Sequence, residues 1–275
     1  MAAPKRPFSI PLFSLSVVVQ FTLWLVVFHW LAPTTWSRQV AAGPGAMVAV
    51  FLAWQLFNCF FEWGFHRYVL HGRIYGWLTR FSRGHRHHHA LTPIRLIRAA
   101  DGERIVLNEY PITQVKQYED AAFPVYALVA FWLLFSPLLI GVQFLAPRWP
   151  VILGGTLSIA WSMFAYETFH AIEHYPYEWW KAATDHPRWG FVWKQIYGFH
   201  HFHHANISTN EAISGFLGLP VADWVFRTYN QPPGLLLHGR LATAQMFAIK
   251  QPWPLVVWLD TWSRKREASL AHNHR

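Results

Sequence analysis

The sequence predicts an all-α integral membrane protein, and three observations carry that prediction. Of 275 residues, 53% are hydrophobic and only 13% are charged, about half the charged share of an ordinary soluble domain. Asp, Glu, Lys and Arg are missing from only four runs of 18 or more residues: 7–37, 39–61, 121–147 and 149–166. The charges that exist are unevenly placed along the chain. This composition excludes a disordered chain, a coiled coil and a nucleic-acid-binding tail. The one cysteine, Cys59, excludes a disulfide framework and a cysteine-built metal site.

Each charge-free run holds an apolar segment of the ~20 residues a helix needs to cross a bilayer. The spans are expected near 10–32, 45–65, 122–146 and 150–169, with Pro33, Pro44, Pro147 and Pro150 punctuating the two short turns. The first span follows Lys5 and Arg6 as a secretory signal would. Its apolar core is too long for a signal and no small-residue cleavage pattern precedes the next span, so it reads as a retained helix.

Four spans put both termini, the 66–120 block and the 170–275 block on one side. Lys and Arg number 2 in residues 1–9, 9 in 66–120 and 10 in 170–275, against 1 in each short turn. The positive-inside rule makes that basic face cytoplasmic. Residues 1–275 thus read as a single domain, four transmembrane helices under a cytoplasmic helical cap, in a bacterial inner membrane or the endoplasmic reticulum. The sequon Asn206-Ile207-Ser208 falls on the same face, where glycosylation is not expected. The second block is rich in tryptophan, from Trp179 and Trp180 to Trp258 and Trp262, which suits short helices lying at the headgroup level.

Ten of the 17 histidines fall in four clusters. His66 and His71 form H-x4-H, and His85, His88 and His89 form H-x2-HH. His170 and His174 form H-x3-H, and His200, His203 and His204 repeat H-x2-HH. Spacings of three and four place side chains on one helix face, so these boxes are expected to aim several imidazoles at one point. The x4 spacing does not do so on a straight helix; Gly72, directly after His71, predicts a helix end that turns the second histidine back. Imidazole is the commonest protein metal ligand, and ten exceed the four a structural zinc ion uses. Two ions with about five histidines each, a dinuclear centre held by the cap, fit the count. His87 and His201 lie inside the boxes but off the ligand face.

Polar stripes join the boxes to the membrane. Asn58, Glu62 and His66 recur at every fourth residue of the second span, and Ser162, Tyr166, His170 and His174 do the same on the fourth. The two helices are expected to face each other, the stripes either leading to the metals or acting as interhelical hydrogen-bond glue. Glu62, Glu167, Glu173, Glu178, Asp185, Glu211 and Asp223 are candidate acceptors for the imidazole N–H groups. Apolar spans point to a lipid substrate entering from the bilayer. An aliphatic chain offers no leaving group for hydrolysis, so metal-assisted oxidation suits the site better. A metal transporter would need ligands near the bilayer midplane, and a bis-histidine haem carrier would need histidines inside paired spans.

Four boxes in this order between four spans resemble the fatty acid hydroxylase/sterol desaturase superfamily of integral-membrane di-iron enzymes. Pro93, Asp101-Gly-Glu-Arg104-Ile-Val and Pro111 are similar to the family's P-x-D-x-x-R-L-V…P segment. Tyr166-Glu167 resembles its Tyr–acid pair ahead of the third box. Gly215-Phe216 and Asp223-Trp-Val-Phe226-Arg-Thr228-Tyr229 resemble its N/G-rich run and W-D-x-x-F-G-T ending. The resemblance spans about residues 45–230; Ala222 stands where the family has Trp, Arg227 where it has Gly, and the Pro93–Asp101 stretch is longer. It implies that the ten histidines hold two iron ions, replaceable by zinc in recombinant material, and that the chain is an O2-dependent monooxygenase hydroxylating an acyl chain or related lipid. A lipid or sterol desaturase is the alternative outcome of the same centre. With no H-P-G-G haem segment and no G-x-G-x-x-G fingerprint, electrons are expected from a separate reductase, ferredoxin or b-type cytochrome. The basic face would attract an acidic carrier, and no nucleic acid partner is expected.

Overall fold

The computed structural model describes residues 8–76, 79–118 and 120–272; Lys5, Arg6 and His274 lie outside the described residues. Helix α1 (Ile10–Leu31) begins at Ser9, whose Oγ accepts the Leu12 amide at 3.5 Å, with Pro11 in the first turn. A short α2 (Pro33–Ala41) leads to α3 (Gly43–Phe65), which continues without a break into a π-helical turn, His66–Leu70. After α4 (Thr79–Leu91) come α5 (Ala127–Leu145) and α6 (Val151–Glu173). Gln143 staples their tight turn: its amide nitrogen donates to the Ala146 and Trp149 carbonyls, and its oxygen accepts the Val151 amide at 3.1 Å. The chain ends with α7 (Tyr177–Thr184), α8 (Gly190–Ala205), α9 (Val221–Phe226) and α10 (Pro254–His272).

Among the described residues, three helices are long and apolar enough to cross a membrane: α1, α3 with its π turn, and α5. Their outer faces carry uncovered apolar side chains, such as Leu12, Val26, Leu133 and Phe144, over far more area than a soluble protein tolerates. The fourth expected span falls on the 23-residue α6, which is not among them because Gly154, Thr156, Ser158, Ser162 and Glu167 dilute its apolarity. These residues are sheltered because α6 is the central helix, packed against α1, α2, α3 and α5. A Cβ on Gly154 would stand 2.7 Å from Val50 Cγ1, and one on Gly155 would collide with Leu139; glycines let the three helices close up. The core here is Val50, Trp54, Trp132, Phe135, Leu139 and Ile159.

The all-α expectation needs one correction. Residues 92–108 contain an antiparallel hairpin, β1 (Ile94–Arg98) and β2 (Arg104–Asn108), paired from Ile94–Asn108 to Arg98–Arg104. Its alternating, β-branched residues turn at Asp101-Gly102, where Gly102 takes φ +88°. The long Pro93–Asp101 stretch is thus a strand and its turn. The tail extends the hairpin: the Val106 amide donates to the Arg240 carbonyl at 2.9 Å, and the Ala242 amide to that of Arg104. Val106, Tyr110, Trp180, Tyr197, Phe202 and Leu236 form a second core beneath the histidines.

Candidate metal centre

The ten clustered histidines converge in two groups of five, and within each group the ligand atoms lie within 4.8 Å of one another. The first group is His66 and His71 from the π turn, His85 and His89 from α4, and His203 from α8. The second is His88 from α4, His170 and His174 at the end of α6, and His200 and His204 from α8. Each H-x2-HH box is therefore divided, contrary to the expectation that a box aims at one point. Residues i and i+4 turn to one group and i+3 to the other, because 3.6 residues per turn leaves them on opposite flanks of the stripe. The groups share a wall: the His89 and His204 rings stack with centroids 3.9 Å apart.

The x4 spacing is solved by the π turn. The His71 amide donates to the His66 carbonyl, five residues back, at 3.1 Å, so one wide turn stacks the two rings with centroids 5.0 Å apart. The helix does end at His71, as Gly72 predicts.

The geometry suits a cation. His66, His203, His174 and His204 each direct Nδ1 at a main-chain carbonyl, of Glu211 (2.7 Å), Thr209 (2.6 Å), Tyr110 (2.7 Å) and Thr92 (2.9 Å). A carbonyl only accepts, so Nδ1 carries the hydrogen and Nε2 presents its lone pair. Burial keeps the rings neutral: His174 is pushed down to about 3, and His88, His89, His200, His203 and His204 well below 6.5. Yet the Nε2 atoms face each other, His66 to His85 at 2.8 Å and His71 to His203 at 3.0 Å in the first group. In the second, His88 to His174 is 3.0 Å and His200 to His204 is 3.1 Å. His170 Nε2 is buried with no hydrogen-bond partner. Metal–nitrogen bonds of about 2.1 Å at right angles separate ligand nitrogens by ~3.0 Å. The donor set fits two metal ions.

The carboxylates predicted as imidazole acceptors do not take that role. Glu62 accepts from the Ser214 hydroxyl and amide and the Gly215 amide, Glu167 from the Phe123 amide, and Asp185 pairs with Lys181. Asp223 accepts the Glu211 and Ala212 amides and the Thr228 hydroxyl. Glu211 alone approaches, its Oε2 3.7 Å from His66 Nδ1 and 4.0 Å from His203 Nδ1, while its own carbonyl takes the His66 bond. The accepting carbonyls, of Thr92, Tyr110, Thr209 and Glu211, all lie in segments outside the helices, where no helical or strand ladder claims them. The stripes do bring α3 against α6. Asn58 Nδ2 donates to Ser158 Oγ (3.0 Å) and Ser162 Oγ (3.1 Å), so at this depth they are interhelical glue. His201 takes Asn108 as its partner at 3.0 Å, and His87 takes Asp120 at 3.1 Å, both off the ligand faces as expected.

Two contributors have no box to mark them. Arg67, inside the first box, is buried; it donates to both Asp260 carboxylate oxygens (2.8 and 2.7 Å), to the Ser208 carbonyl (2.7 Å) and to Glu211 Oε1 (3.1 Å). Tyr110 packs its ring 4.3 Å from that of His174. A charge between two histidines and a lone acid in an apolar run at 254–262 were the available signals. Two cavities adjoin the centre. One, of about 70 Å³, runs between α3, α5 and α6 up to His66; the other, of about 480 Å³, is open and lined by His85 and His170. No protein-family model matches the chain, and neither the curated proteins nor the solved structures contain a match to it.

Proposed function

We propose that this chain is a membrane-embedded dinuclear iron oxidase that hydroxylates a C–H bond of a lipid. The observation that carries the reading is the convergence of ten neutral imidazoles, lone pairs inward, beside an apolar cavity between apolar helices. Iron, when bound, supplies the dioxygen chemistry that an unactivated C–H bond needs. The overall balance is R–H + O2 + 2 e⁻ + 2 H⁺ → R–OH + H2O, the electrons coming from a separate acidic carrier drawn to the basic face.

The chain's own residues do the rest. His66, His71, His85, His89 and His203 would hold one ion, and His88, His170, His174, His200 and His204 the other. The four carbonyls fix tautomer and ring orientation, and Phe61, Phe131 and Phe135 line a hydrocarbon wall that excludes water. The fold also favours a fourth crossing. The 66–120 and 170–275 blocks meet in one centre, so a chain that leaves through α5 must return through α6. Of the eight tryptophans after residue 170, only Trp180 is buried, which suits the cap lying on the headgroups.

Lipid extracts of cells expressing the protein with a working reductase test the reading: a lipid gaining one oxygen is expected. A lipid losing two hydrogens instead reassigns the outcome to desaturation, and no new lipid overturns both. Metal analysis is independent of turnover. Two ions per chain are expected, falling by about one in His203→Ala (first group) and in His88→Ala (second group); unchanged content would refute the ligand assignment.

A further inference from the structure

The two cavities share four aromatic residues, Phe65, Phe123, Phe131 and Tyr166, and so adjoin along one aromatic partition. They differ in character. The outer one is lined by Asp120, Glu167 and Tyr126, and it borders α5 where Tyr126 and Leu134 are exposed on the face an apolar bilayer would cover. The inner one is almost wholly hydrocarbon at its surface. Its carboxylate, Glu62, is engaged by Ser214 and Gly215, and the Asn58 amide nitrogen is engaged by Ser158 and Ser162. Its far end stops at Asn58 and Ile159, where that polar knot closes the space between α3 and α6.

We propose that the two cavities form one channel for a single-chain lipid that enters methyl end first from the α5 side, leaving its polar end in the outer cavity and an internal carbon beside the histidines. The reasoning is one of matching. A polar headgroup would find one unpartnered acceptor, Asn58 Oδ1, in an inner cavity whose surface is otherwise almost wholly hydrocarbon, whereas a hydrocarbon tail loses nothing there and gains burial. The histidines that face the channel, His66, His85 and His170, come from both groups and stand where the cavities meet, not at either end. The floor sets the register. Asn58 lies eight residues before His66 on one helix, about 12 Å at 1.5 Å per residue. That depth takes roughly nine or ten extended carbons with C–C bonds of about 1.5 Å. The reacting carbon would therefore be counted from the methyl end, by the position of the floor.

This inference rests on the lipid-oxidation reading for which carbon reacts, but the channel is tested without turnover. The metal-loaded protein in lipid nanodiscs is photolabelled with two long-chain alcohols, one with a diazirine near its methyl end and one with it beside the hydroxyl. The first is expected to label Ile159, Met163 or Phe135, and the second the 120–126 segment. The opposite pattern, or labelling only of outward residues such as Leu133 and Phe144, overturns the proposal. Filling the floor with Ile159→Phe should cut inner labelling by the methyl-end probe roughly tenfold, about 1.4 kcal/mol, while labelling of 120–126 by the hydroxyl-end probe persists. Should that variant fail to fold, wild-type protein decides. Competing alcohols should gain affinity with length until the tail reaches the floor and then level off, and affinity that rises without limit, or a sterol competing better than any chain, refutes the channel. Channel failure with two metals still bound would leave the oxidase reading standing.

Discussion

Gly72 shows how much of the centre depends on single residues. The π turn carries the Tyr68 carbonyl so close that a Cβ on residue 72 would stand 2.6 Å from it, inside any tolerated contact with main chain. Gly72→Ala must therefore open the turn that stacks His71 on His66, at a cost of about 1–3 kcal/mol typical of overpacking. Metal content is expected to fall from two ions toward one with helicity by circular dichroism unchanged; retention of both would mean that the π turn is not needed to place His71. The buried imidazoles also impose a pH dependence. His174 and His201 are held neutral with values of about 3, against 6.5 when solvated, because burial disfavours the cation. Below 6.5 the unfolded chain binds more protons than the folded one, so stability is full above 6.5 and is lost as pH falls toward 3. For the metal-free protein, His201 alone accounts for on the order of 3 kcal/mol by pH 4. Melting temperature should drop steadily from pH 7 to 4, and less steeply in His201→Gln. A flat profile would contradict the burial.

At the scale of elements, α10 shows that the tail belongs to the centre although no motif says so. Its Asp260 is the principal partner of Arg67, whose side chain is 5% exposed against 18% for the aspartate. Removing Asp260 leaves Arg67 with one of its two carboxylates, Glu211 Oε1 at 3.1 Å, so the loss falls below the about 3–5 kcal/mol of a fully stranded buried charge. Asp260→Ala is expected to cost about 2 kcal/mol in denaturant unfolding, and the joint replacement Arg67→Met, Glu211→Gln and Asp260→Leu, which removes all three charges, to regain most of it. Equal losses in the two would show that helix packing, not the ion pair, holds α10 down. The helices and all four boxes were legible because charge-free length and histidine spacing are local properties of the chain. The division of each H-x2-HH box between two ions was not, since spacing gives a stripe but not what faces each flank. Nor were the carbonyl partners, which any residue type can supply: Thr92, Tyr110 and Thr209 act through main-chain atoms. The hairpin does not follow from the motif reading of Pro93, residues 101–106 and Pro111, although its alternation and Asp101-Gly102 turn are open to view in the sequence.

For the whole molecule, charge and site geometry constrain the topology separately. The charge count places 21 of 23 basic residues in the terminal and middle blocks. Independently, His88 and His89 before α5 meet His170 and His174 at the end of α6 and His204 beyond it, so a bilayer crossed by both α5 and α6 would leave these blocks on one side. One crossing by α5 without a second by α6 would separate histidines that are 3.0 Å apart. If α1, α3, α5 and α6 all cross, the 33–44 and 147–149 turns lie together on the opposite face. Cysteine labelling can test this because the native Cys59 is completely buried and silent to a membrane-impermeant maleimide. Single cysteines at Ser37 and Arg148, both exposed, are expected to react only from the outer side of the membrane, and those at Arg98 and Lys194 only from the cytoplasmic side. Labelling of the Arg148 and Lys194 positions from the same side would show that α6 does not cross, and would require a re-entrant path for a helix whose polar face is buried within the protein.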